Sequence, residues 1–232
     1  PYLGERIGVP ARAGYRKLDY DATLDTQGVP VVALAGTCME AGKTAAACAI
    51  VSRMRHRGLT VDVFKATGVS LRRDILAMED SGARRSMIFT DLGIVTTTAA
   101  SGPALTRTML TEMAAGKPDV IVFELGDGIL GAYGVESILA AEDIRKSLTA
   151  VVLSANDPVA AWGGVKLLRE RFGIEPAVVT GPATDNAVGV EIIRDQMGVP
   201  AFNAMTSGAD LGDCLIAATG LEAAARSVEP AS

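Results

Sequence analysis

One stretch decides the fold: Val31-Val32-Ala33-Leu34-Ala35-Gly36-Thr37-Cys38-Met39-Glu40-Ala41-Gly42-Lys43-Thr44-Ala45-Ala46. Its valine-rich start indicates a buried strand, the glycine-bounded segment a tight loop, and the alanine-rich end a helix. This order is typical of a phosphate-binding loop (P-loop), whose backbone N–H groups bind phosphate oxygens at the start of the helix. Lys43 would reach the β- and γ-phosphates, and the Thr44 hydroxyl would ligate Mg²⁺. We therefore expect the loop, through Ala45, to bind a nucleotide.

The spacing of the loop departs from the strict P-loop pattern. That pattern has glycine five positions before Gly42, where this chain has Thr37, and Gly36 comes one residue too early. The alternative interpretation is an ordinary helix start with a glycine nearby, but the flanking strand and helix favour the P-loop. The spacing Gly-Thr-x-x-Glu-x-Gly-Lys-Thr resembles the loop of dethiobiotin synthetase and its relatives in the SIMIBI class of P-loop proteins.

Composition narrows the functional classes. With 22 basic and 27 acidic residues among 232, the net charge of −5 argues against nucleic-acid and anionic-membrane partners. Neither a long apolar run nor a signal peptide is evident, so we expect a soluble, cytoplasmic protein. Cys38, Cys48 and Cys214 are too scattered for a disulfide framework or a metal site, and the single histidine, His56, gives little support to a Ser-His-Asp site.

Strands alternate with helices along the chain. This pattern predicts right-handed βαβ units and an α/β fold, a three-layer α/β/α sandwich of the P-loop NTPase type with a mostly parallel sheet of about seven strands. The expected strands are 31–36, 61–68, 87–93, 119–128, 150–154, 176–181 and 199–203. The expected helices are 43–57, 71–81, 104–115, 135–147, one beginning at 156–158, 186–197 and 209–226.

Residues 1–28 show no sustained period and mix glycine, proline, arginine and tyrosine. We interpret them as an N-terminal arm or linker, and residues 29–232 as one P-loop domain. Because the chain begins at Pro1 rather than methionine, we expect it to be the C-terminal part of a longer polypeptide.

The run Asp119-Val120-Ile121-Val122-Phe123-Glu124-Leu125-Gly126-Asp127-Gly128 is a second decisive stretch. Its acid follows an apolar strand, at the edge where open parallel sheets bind ligands. Glu124 is therefore a candidate Mg²⁺ ligand together with Thr44. The alternative is a strand that ends in solvent with an exposed acid.

Three classes of P-loop protein compete. GTPase switches carry an Asn-Lys-x-Asp motif, which this sequence lacks, and partitioning ATPases carry a second lysine where Cys38 stands. A small-molecule enzyme remains. Similarity to dethiobiotin synthetase implies that Lys65 lies near the transferred phosphate, that Glu124 belongs to the metal site, and that the strand containing Asn203 borders the adenine. Ala66 after Lys65, where that family has proline, argues against a dethiobiotin synthetase itself.

The sequence also resembles the P-loop domain of the DUF1611 group, in which a Gly-Thr-x-x-x-x-Gly-Lys loop recurs. Thr67, within Ala66-Thr67-Gly68, and Asp91, within Phe89-Thr90-Asp91, stand where that group has a Thr-Gly and an aspartate. We expect Asp91 and Asp127 to complete a carboxylate cluster with Glu124, Asp74 being an alternative third acid, and Thr67 and Asp127 to bind substrate. Some members of the group are linked to N-acylation of D-amino acids.

These patterns favour an enzyme domain that uses ATP and Mg²⁺ to act on a small molecule, as a kinase-like transferase or a ligase. Lys43, Lys65 and Asp91 would be catalytic, and Thr44, Glu124 and Asp91 would hold the metal. Two alternatives stay open: a nucleotide-switched regulatory or scaffold module, and an acyl-CoA-using N-acyltransferase of the DUF1611 type. An apolar fraction of 49% also allows a homodimer.

Overall fold

The computed structural model describes residues 18–221, and its core is a sheet of six parallel strands. Across the sheet the order is β3-β2-β4-β1-β5-β6. The strands are β1 (Val31–Gly36), β2 (Val61–Lys65), β3 (Arg85–Ile88), β4 (Val120–Gly128), β5 (Ala150–Ser154) and β6 (Val178–Thr180).

Helices cover both faces of this sheet. They are α1 (Lys43–His56), α2 (Arg72–Asp80), α3 (Gly102–Ala114), α4 (Val135–Ala140), α5 (Glu142–Ser147), α6 (Pro158–Phe172), α7 (Ala187–Ile192) and α8 (Gly208–Ala218). A π-helical turn, Ile193–Met197, extends α7. Helix α1 packs between α2 and α8, and α3 packs with α4 and α5. The predicted three-layer α/β/α sandwich of the P-loop NTPase type is confirmed.

The strands are buried along nearly their whole length, as expected for a parallel sheet covered on both faces. In the centre, Phe64 of β2 and Phe123 of β4 are register partners whose rings stack with centroids 4.7 Å apart. Aromatic contacts of this kind add to the free energy that the buried area alone provides. The core therefore fixes β2 and β4 side by side, and with them the residues at their carboxyl ends.

The strand order creates a crevice next to β1. Right-handed crossovers that run from β1 towards β2 place α1 on one face, and crossovers that run from β4 towards β5 place their helices on the other. Ligands bind in open parallel sheets where neighbouring strands send their helices to opposite faces, beyond the carboxyl ends of the strands. The loop after β1 and the end of β4 meet at this point.

Within residues 18–221 the sheet has six strands, one fewer than the predicted number of about seven. Segment 199–203 makes only an isolated parallel bridge, between Ala201 and Val179 of β6. Pairing stops after Phe202, because the amide oxygen of Asn203 accepts hydrogen bonds from the N–H groups of Met205 and Thr206 and begins a turn. A side chain that bonds to its own following backbone competes with a strand, as asparagine often does.

Several other boundaries differ from expectation. Strand β2 ends at Lys65 rather than at residue 68, and β6 covers residues 178–180 rather than 176–181. Helix α8 ends at Ala218, so residues 219–221 do not continue the predicted last helix.

The third strand covers residues 85–88 rather than 87–93, because the Asp91 carboxylate accepts a hydrogen bond from the N–H of Ile88 at 3.0 Å and the chain forms a 3₁₀ turn, Phe89–Leu92. The predicted helix 135–147 is divided into α4 and α5 at Ala141, whose ψ of 114° is extended. The structure offers no physical reason for that break.

The expected N-terminal arm lies partly outside the described residues. Its described portion, residues 18–28, contains no helix or strand, and the side chain of Leu18 is buried in the core. The N–H of Asp25 donates to the hydroxyl of Thr111 on α3 at 3.0 Å, so this portion contacts α3. Residues 222–226 of the predicted last helix also lie outside the described part. Within residues 18–221, no helix is both long and apolar enough to cross a bilayer.

Candidate functional site

The P-loop connects β1 to α1, and Lys43 lies across it. A Cβ atom placed on Gly36 would lie 2.8 Å from Lys43 Nζ and 2.9 Å from its Cδ, so a larger residue at position 36 would displace the lysine side chain. Lys43 Nζ donates hydrogen bonds to the carbonyl oxygens of Cys38, at 2.7 Å, and Met39, at 3.0 Å. This geometry explains the displaced glycine: Lys43 passes over residue 36 and not over residue 37.

The loop rests on the segment that follows β6. Gly42 has a φ of 91°, a left-handed conformation that favours glycine, immediately before α1 begins. A Cβ atom on Gly181 would lie 2.3 Å from the carbonyl oxygen of Ala41, so the two backbones are in direct contact. The predicted loop residues from Gly36 to Gly42 therefore form a single loop that packs against this segment. Thr44 and Ala45 lie in the first turn of α1, as expected.

Thr44 and Glu124 come together although they are 80 positions apart. The Thr44 hydroxyl donates a hydrogen bond to Glu124 Oε2 at 3.0 Å. Glu124 lies on β4, which pairs directly with β1, and its side chain is only 3% exposed. A hydroxyl and a carboxylate are oxygen ligands of the kind that Mg²⁺ prefers, beside a lysine that can bind phosphate, so this donor set fits a magnesium nucleotide.

Burial changes the acid–base properties of this pair. It raises the pKa of Glu124, although Lys65, Lys43 and the Thr44 hydrogen bond each act in the opposite direction. It also lowers the pKa of Lys43, which the charge of Glu124 opposes. A buried carboxylate gains from a bound cation, and a buried ammonium group gains from a bound anion. The site is therefore suited to a ligand that carries both, such as a magnesium phosphate.

A cleft of about 280 Å³ extends from the loop towards β2. Among the residues that line it are Met39, Lys43, Thr44, Lys65, Asp74 and Glu124. Lys65 is the register partner of Glu124, and its Nζ forms a buried ion pair with Asp74 of α2. Lys65 is thus at the edge of the cleft where the sequence predicted it.

Asp91 does not line the cleft. Its carboxylate accepts a hydrogen bond from the N–H of Ile88 and lies 3.5 Å from Arg72 Nη1. The Asp91 side chain is 39% exposed. Within residues 18–221, no three histidine, cysteine, aspartate or glutamate side chains are grouped so that they could hold a metal ion. The expected carboxylate cluster is therefore not formed, because Asp91 is held by the 3₁₀ turn that ends β3.

Thr67 and Asp127 have structural contacts. Thr67 is fully buried, and its hydroxyl accepts a hydrogen bond from the N–H of Gly126 at 2.8 Å. Asp127 Oδ1 accepts one from the N–H of Gly128 at 2.7 Å, and its carboxylate packs against Gly131. Burial lowers the pKa of Lys43, and the charge of Asp127 is one of those that oppose this lowering. A substrate-binding role for either residue stays a prediction.

Asn203 lies in the turn after the isolated bridge, on the β6 side of the sheet. Its amide nitrogen donates to Asp185 Oδ1 at 2.8 Å, and the side chain is 8% exposed. Asn203 therefore orients Asp185, which follows the segment that supports the P-loop. The predicted contact with the nucleotide base stays a prediction.

Sequence reasoning missed several residues of the cleft. Val69 and Leu71, between β2 and α2, line it together with Arg73 of α2. Asp74, considered only as an alternative metal ligand, holds Lys65 instead. Residues just after a strand's carboxyl end meet the ligand edge of a parallel sheet, and that rule could have indicated Val69 and Leu71. The ion pair of Lys65 with Asp74 depends on how α2 packs and has no local sequence signal.

Solved structures with the same architecture include a DUF1611 family protein from Anabaena variabilis. It is 16% identical to this chain, with a TM-score of 0.61, and the match covers 91% of this chain and 64% of that protein. A second is the signal recognition particle receptor FtsY from Elizabethkingia anophelis, with 14% identity, a TM-score of 0.56, and coverage of 82% and 66%. The fold is that of a P-loop NTPase.

At these identities the similarity establishes the fold of the chain and not its chemistry. The chain spans about two thirds of the length of these two structures. Chloroplast FtsY from Physcomitrella patens gives the same result, with 14% identity, a TM-score of 0.54, and coverage of 88% of this chain and 69% of that one. No protein-family model and no curated protein matches the sequence. The expected likeness to a DUF1611 protein is confirmed, whereas the likeness to dethiobiotin synthetase stays a prediction.

Proposed function

We propose that this P-loop domain binds ATP with Mg²⁺ and uses it to phosphorylate or activate a small molecule. The observation that carries the proposal is the hydrogen bond between Thr44 and Glu124, 3.0 Å long, beside a buried Lys43. It joins a hydroxyl and a carboxylate from two neighbouring elements at the ligand edge of the sheet.

Each residue of the site has a physical task. Lys43, released from the carbonyl oxygens of Cys38 and Met39, would bind the β- and γ-phosphates, and its burial strengthens that charge interaction. Thr44 and Glu124 would hold Mg²⁺, which neutralises charge between the phosphates. Lys65, one strand beyond Glu124, would stabilise the negative charge of the phosphoryl group as it is transferred.

The cleft supports a small acceptor with both an apolar and an anionic part. Beyond the loop it is lined by Val69 and Leu71 and by the cationic groups of Lys65 and Arg73. Its volume of about 280 Å³ is close to the lower limit of ordinary ligand pockets. These features favour a carboxylate or an amino-acid-like substrate.

Binding measurements on paired variants test the proposal. We expect Mg-ATP to raise the melting temperature of the wild-type protein, because a ligand that binds only the folded state stabilises it. Lys43→Ala and Glu124→Gln should remove this rise. Matched controls are Lys146→Ala and Glu142→Gln, which remove the same charges from an exposed i,i+4 pair on α5. Equal responses from the site variants and the controls would refute the proposal.

The nucleotide base is tested in the same assay. A structure of FtsY from Elizabethkingia anophelis, similar to this chain with a TM-score of 0.54, is a complex with GDP. GTP and GDP are therefore compared directly with ATP and ADP. Turnover is then measured with pools of small carboxylates and amino acids, and consumption that stays basal with every pool would favour a nucleotide switch.

A second candidate is acyl transfer from an acyl-CoA. It is supported by the similarity of the fold to a DUF1611 protein and by the apolar Met39, Val69 and Leu71 at the cleft, where an acyl chain could pack. The P-loop would then bind the phosphates of the coenzyme. Acetyl-CoA that raises the melting temperature more than ATP does, without nucleotide consumption, would favour this candidate.

A further inference from the structure

We propose that the Asp74 carboxylate occupies an anion-binding subsite, formed by Lys65 and Arg73, from which an incoming phosphate or carboxylate displaces it. This inference rests on the proposed function, since it places the subsite beside the metal and phosphate site. It assigns Asp74 as a positioning residue that competes with the ligand for Lys65.

The placement of Lys65 is the first argument. Thr44 contacts Glu124, and Glu124 is the register partner of Lys65 on the next strand, about 4.8 Å away across the sheet. Glu124, which with Thr44 is a proposed metal ligand, therefore lies between the P-loop and Lys65. An anion that continues past the metal, away from the loop, arrives at the Lys65 ammonium group.

The second argument is that Lys65 has no freedom to leave the cleft. Its side chain is 5% exposed, and a Cβ atom on Gly126 would lie 2.7 Å from its Cε, so the stem is held against β4. The ammonium group ends in an ion pair with Asp74, whose side chain is 14% exposed. A buried ammonium group needs a counter-ion, and Asp74 supplies one from within the chain.

The third argument is the second cation at the same carboxylate. Arg73 Nε lies 3.9 Å from Asp74 Oδ1, and the Arg73 side chain is 85% exposed at the mouth of the cleft. Two cations from β2 and α2 thus converge on one carboxylate. A phosphate or carboxylate oxygen of a ligand could take the place of the Asp74 carboxylate between them. All of these groups carry anionic oxygens that accept charge-assisted hydrogen bonds.

Two sources of this anion are distinguishable: the terminal phosphate of the nucleotide, or an anionic group of the acceptor. Affinities are measured for the magnesium complexes of ADP and of the non-hydrolysable analogue AMP-PNP, with GDP and GMP-PNP in parallel. Inorganic phosphate is then titrated into protein saturated with Mg-ADP. The diphosphates report on the P-loop alone, and the other two titrations report on the subsite.

Asp74→Asn should tighten the binding of one of these anions by at least about ten-fold, or about 1.4 kcal/mol, without a matching change for ADP. Tighter AMP-PNP binding identifies the terminal phosphate as the occupant, and tighter phosphate binding with unchanged AMP-PNP binding identifies the acceptor. Asp74→Glu keeps a carboxylate and should retain the wild-type ratio. Asp80→Asn removes the same charge from the far, exposed end of α2 and should change nothing.

Lys65→Met separates displacement from simple charge repulsion. In this background Asp74→Asn should give no gain in anion affinity, because the ammonium group for which Asp74 and the anion compete is gone. A gain that persists, or a folded Asp74→Asn variant in which AMP-PNP and phosphate both bind as in the wild type, would overturn the inference. If no nucleotide binds to the wild-type protein, the proposed function fails. Phosphate alone then decides: tighter binding to Asp74→Asn than to the wild type supports the subsite, and equal binding overturns it.

Hydrogen exchange of the wild-type protein provides a measurement that needs no variant to fold. Release of Asp74 should increase amide exchange in the first turn of α2, residues 72–76, when AMP-PNP binds or when phosphate is added to the ADP complex. ADP alone should not cause this increase. Unchanged exchange in that turn under all three conditions would overturn the inference.

Discussion

Two groups of charged side chains in this protein differ in their exposure to water. At the seam between α1 and α8, Asp213 accepts two hydrogen bonds each from Arg53 and Arg57, at 2.5 to 3.0 Å. These side chains are 22 to 39% exposed. The carboxylate is fully paired, and the two arginines hold its pKa down, at about 2. This group stabilises the packing of two helices.

The cleft is built from similar side chains with the opposite result. Lys43, Lys65 and Glu124 are 2 to 4% exposed. Burial lowers the pKa of Lys43 and raises the pKa of Glu124, so in both residues it favours the neutral form. Charges that are paired near the surface stabilise the fold, whereas buried charges with shifted pKa values at a cleft mark a candidate ligand site. The difference teaches that burial at a cleft, not residue type, separates the candidate site from a structural ion pair.

The largest effect on stability is expected at Gly126, where an added Cβ would meet the backbone. In Gly126→Ala the new Cβ would lie 2.2 Å from the carbonyl oxygen of Thr67 and 2.7 Å from Lys65 Cε, so the backbone must move. We expect a loss of about 3 kcal/mol in the free energy of unfolding. Gly163→Ala on α6 is the control, since its Cβ meets no atom within 4 Å and alanine favours a helix. Urea denaturation measures both.

Glu124→Gln should separate stability from binding. We expect Mg-nucleotide affinity to fall about 100-fold by calorimetric titration, since a charge-assisted contact contributes about 2 to 3 kcal/mol. Stability should not fall with it. The raised pKa of Glu124 means that the wild type loses stability, relative to the variant, as the pH rises from 4.5 through the folded-state pKa. A variant less stable than the wild type at pH 7 would contradict this comparison.

Asp213→Asn should do the reverse at the seam. Its pKa falls from 3.8 to about 2 on folding, so its contribution is present above pH 3.8 and is lost as the pH falls through about 2. Because the side chain is 36% exposed, screening reduces the expected contribution to about 1 kcal/mol. Thermal unfolding at several pH values tests this. Nucleotide binding should be unchanged, and a loss of binding would show that the seam and the cleft are coupled.

The smallest effect is expected for Glu142→Gln. Glu142 and Lys146 form an exposed i,i+4 pair on α5, with side chains 67% and 72% exposed. Water screens such pairs strongly, so the melting temperature and the nucleotide affinity should both equal those of the wild type. A measurable loss in either would mean that exposure does not separate the two groups of charges.

Much of the fold was predictable because its signals are local. The apolar strands, the glycine before α1 and the Asp-Pro start of α6 each form a pattern within a few residues. The seventh strand and the boundaries of β3 were wrong because side chains of Asn203 and Asp91 bond to nearby backbone. Periodicity does not detect that competition.

The sequence by itself determined the P-loop, the lysine next to it and the acid within β4, since each depends on neighbours along the chain. The sequence also indicated that Thr44 and Glu124 share a site, and the structure supplied the hydrogen bond between them. Only the tertiary structure decided that Asp91 stays outside the cleft and that Asp74 holds Lys65. These contacts join residues from separate elements, and their geometry depends on how helices pack on the sheet. The spacing of residues within one element carries no record of that packing.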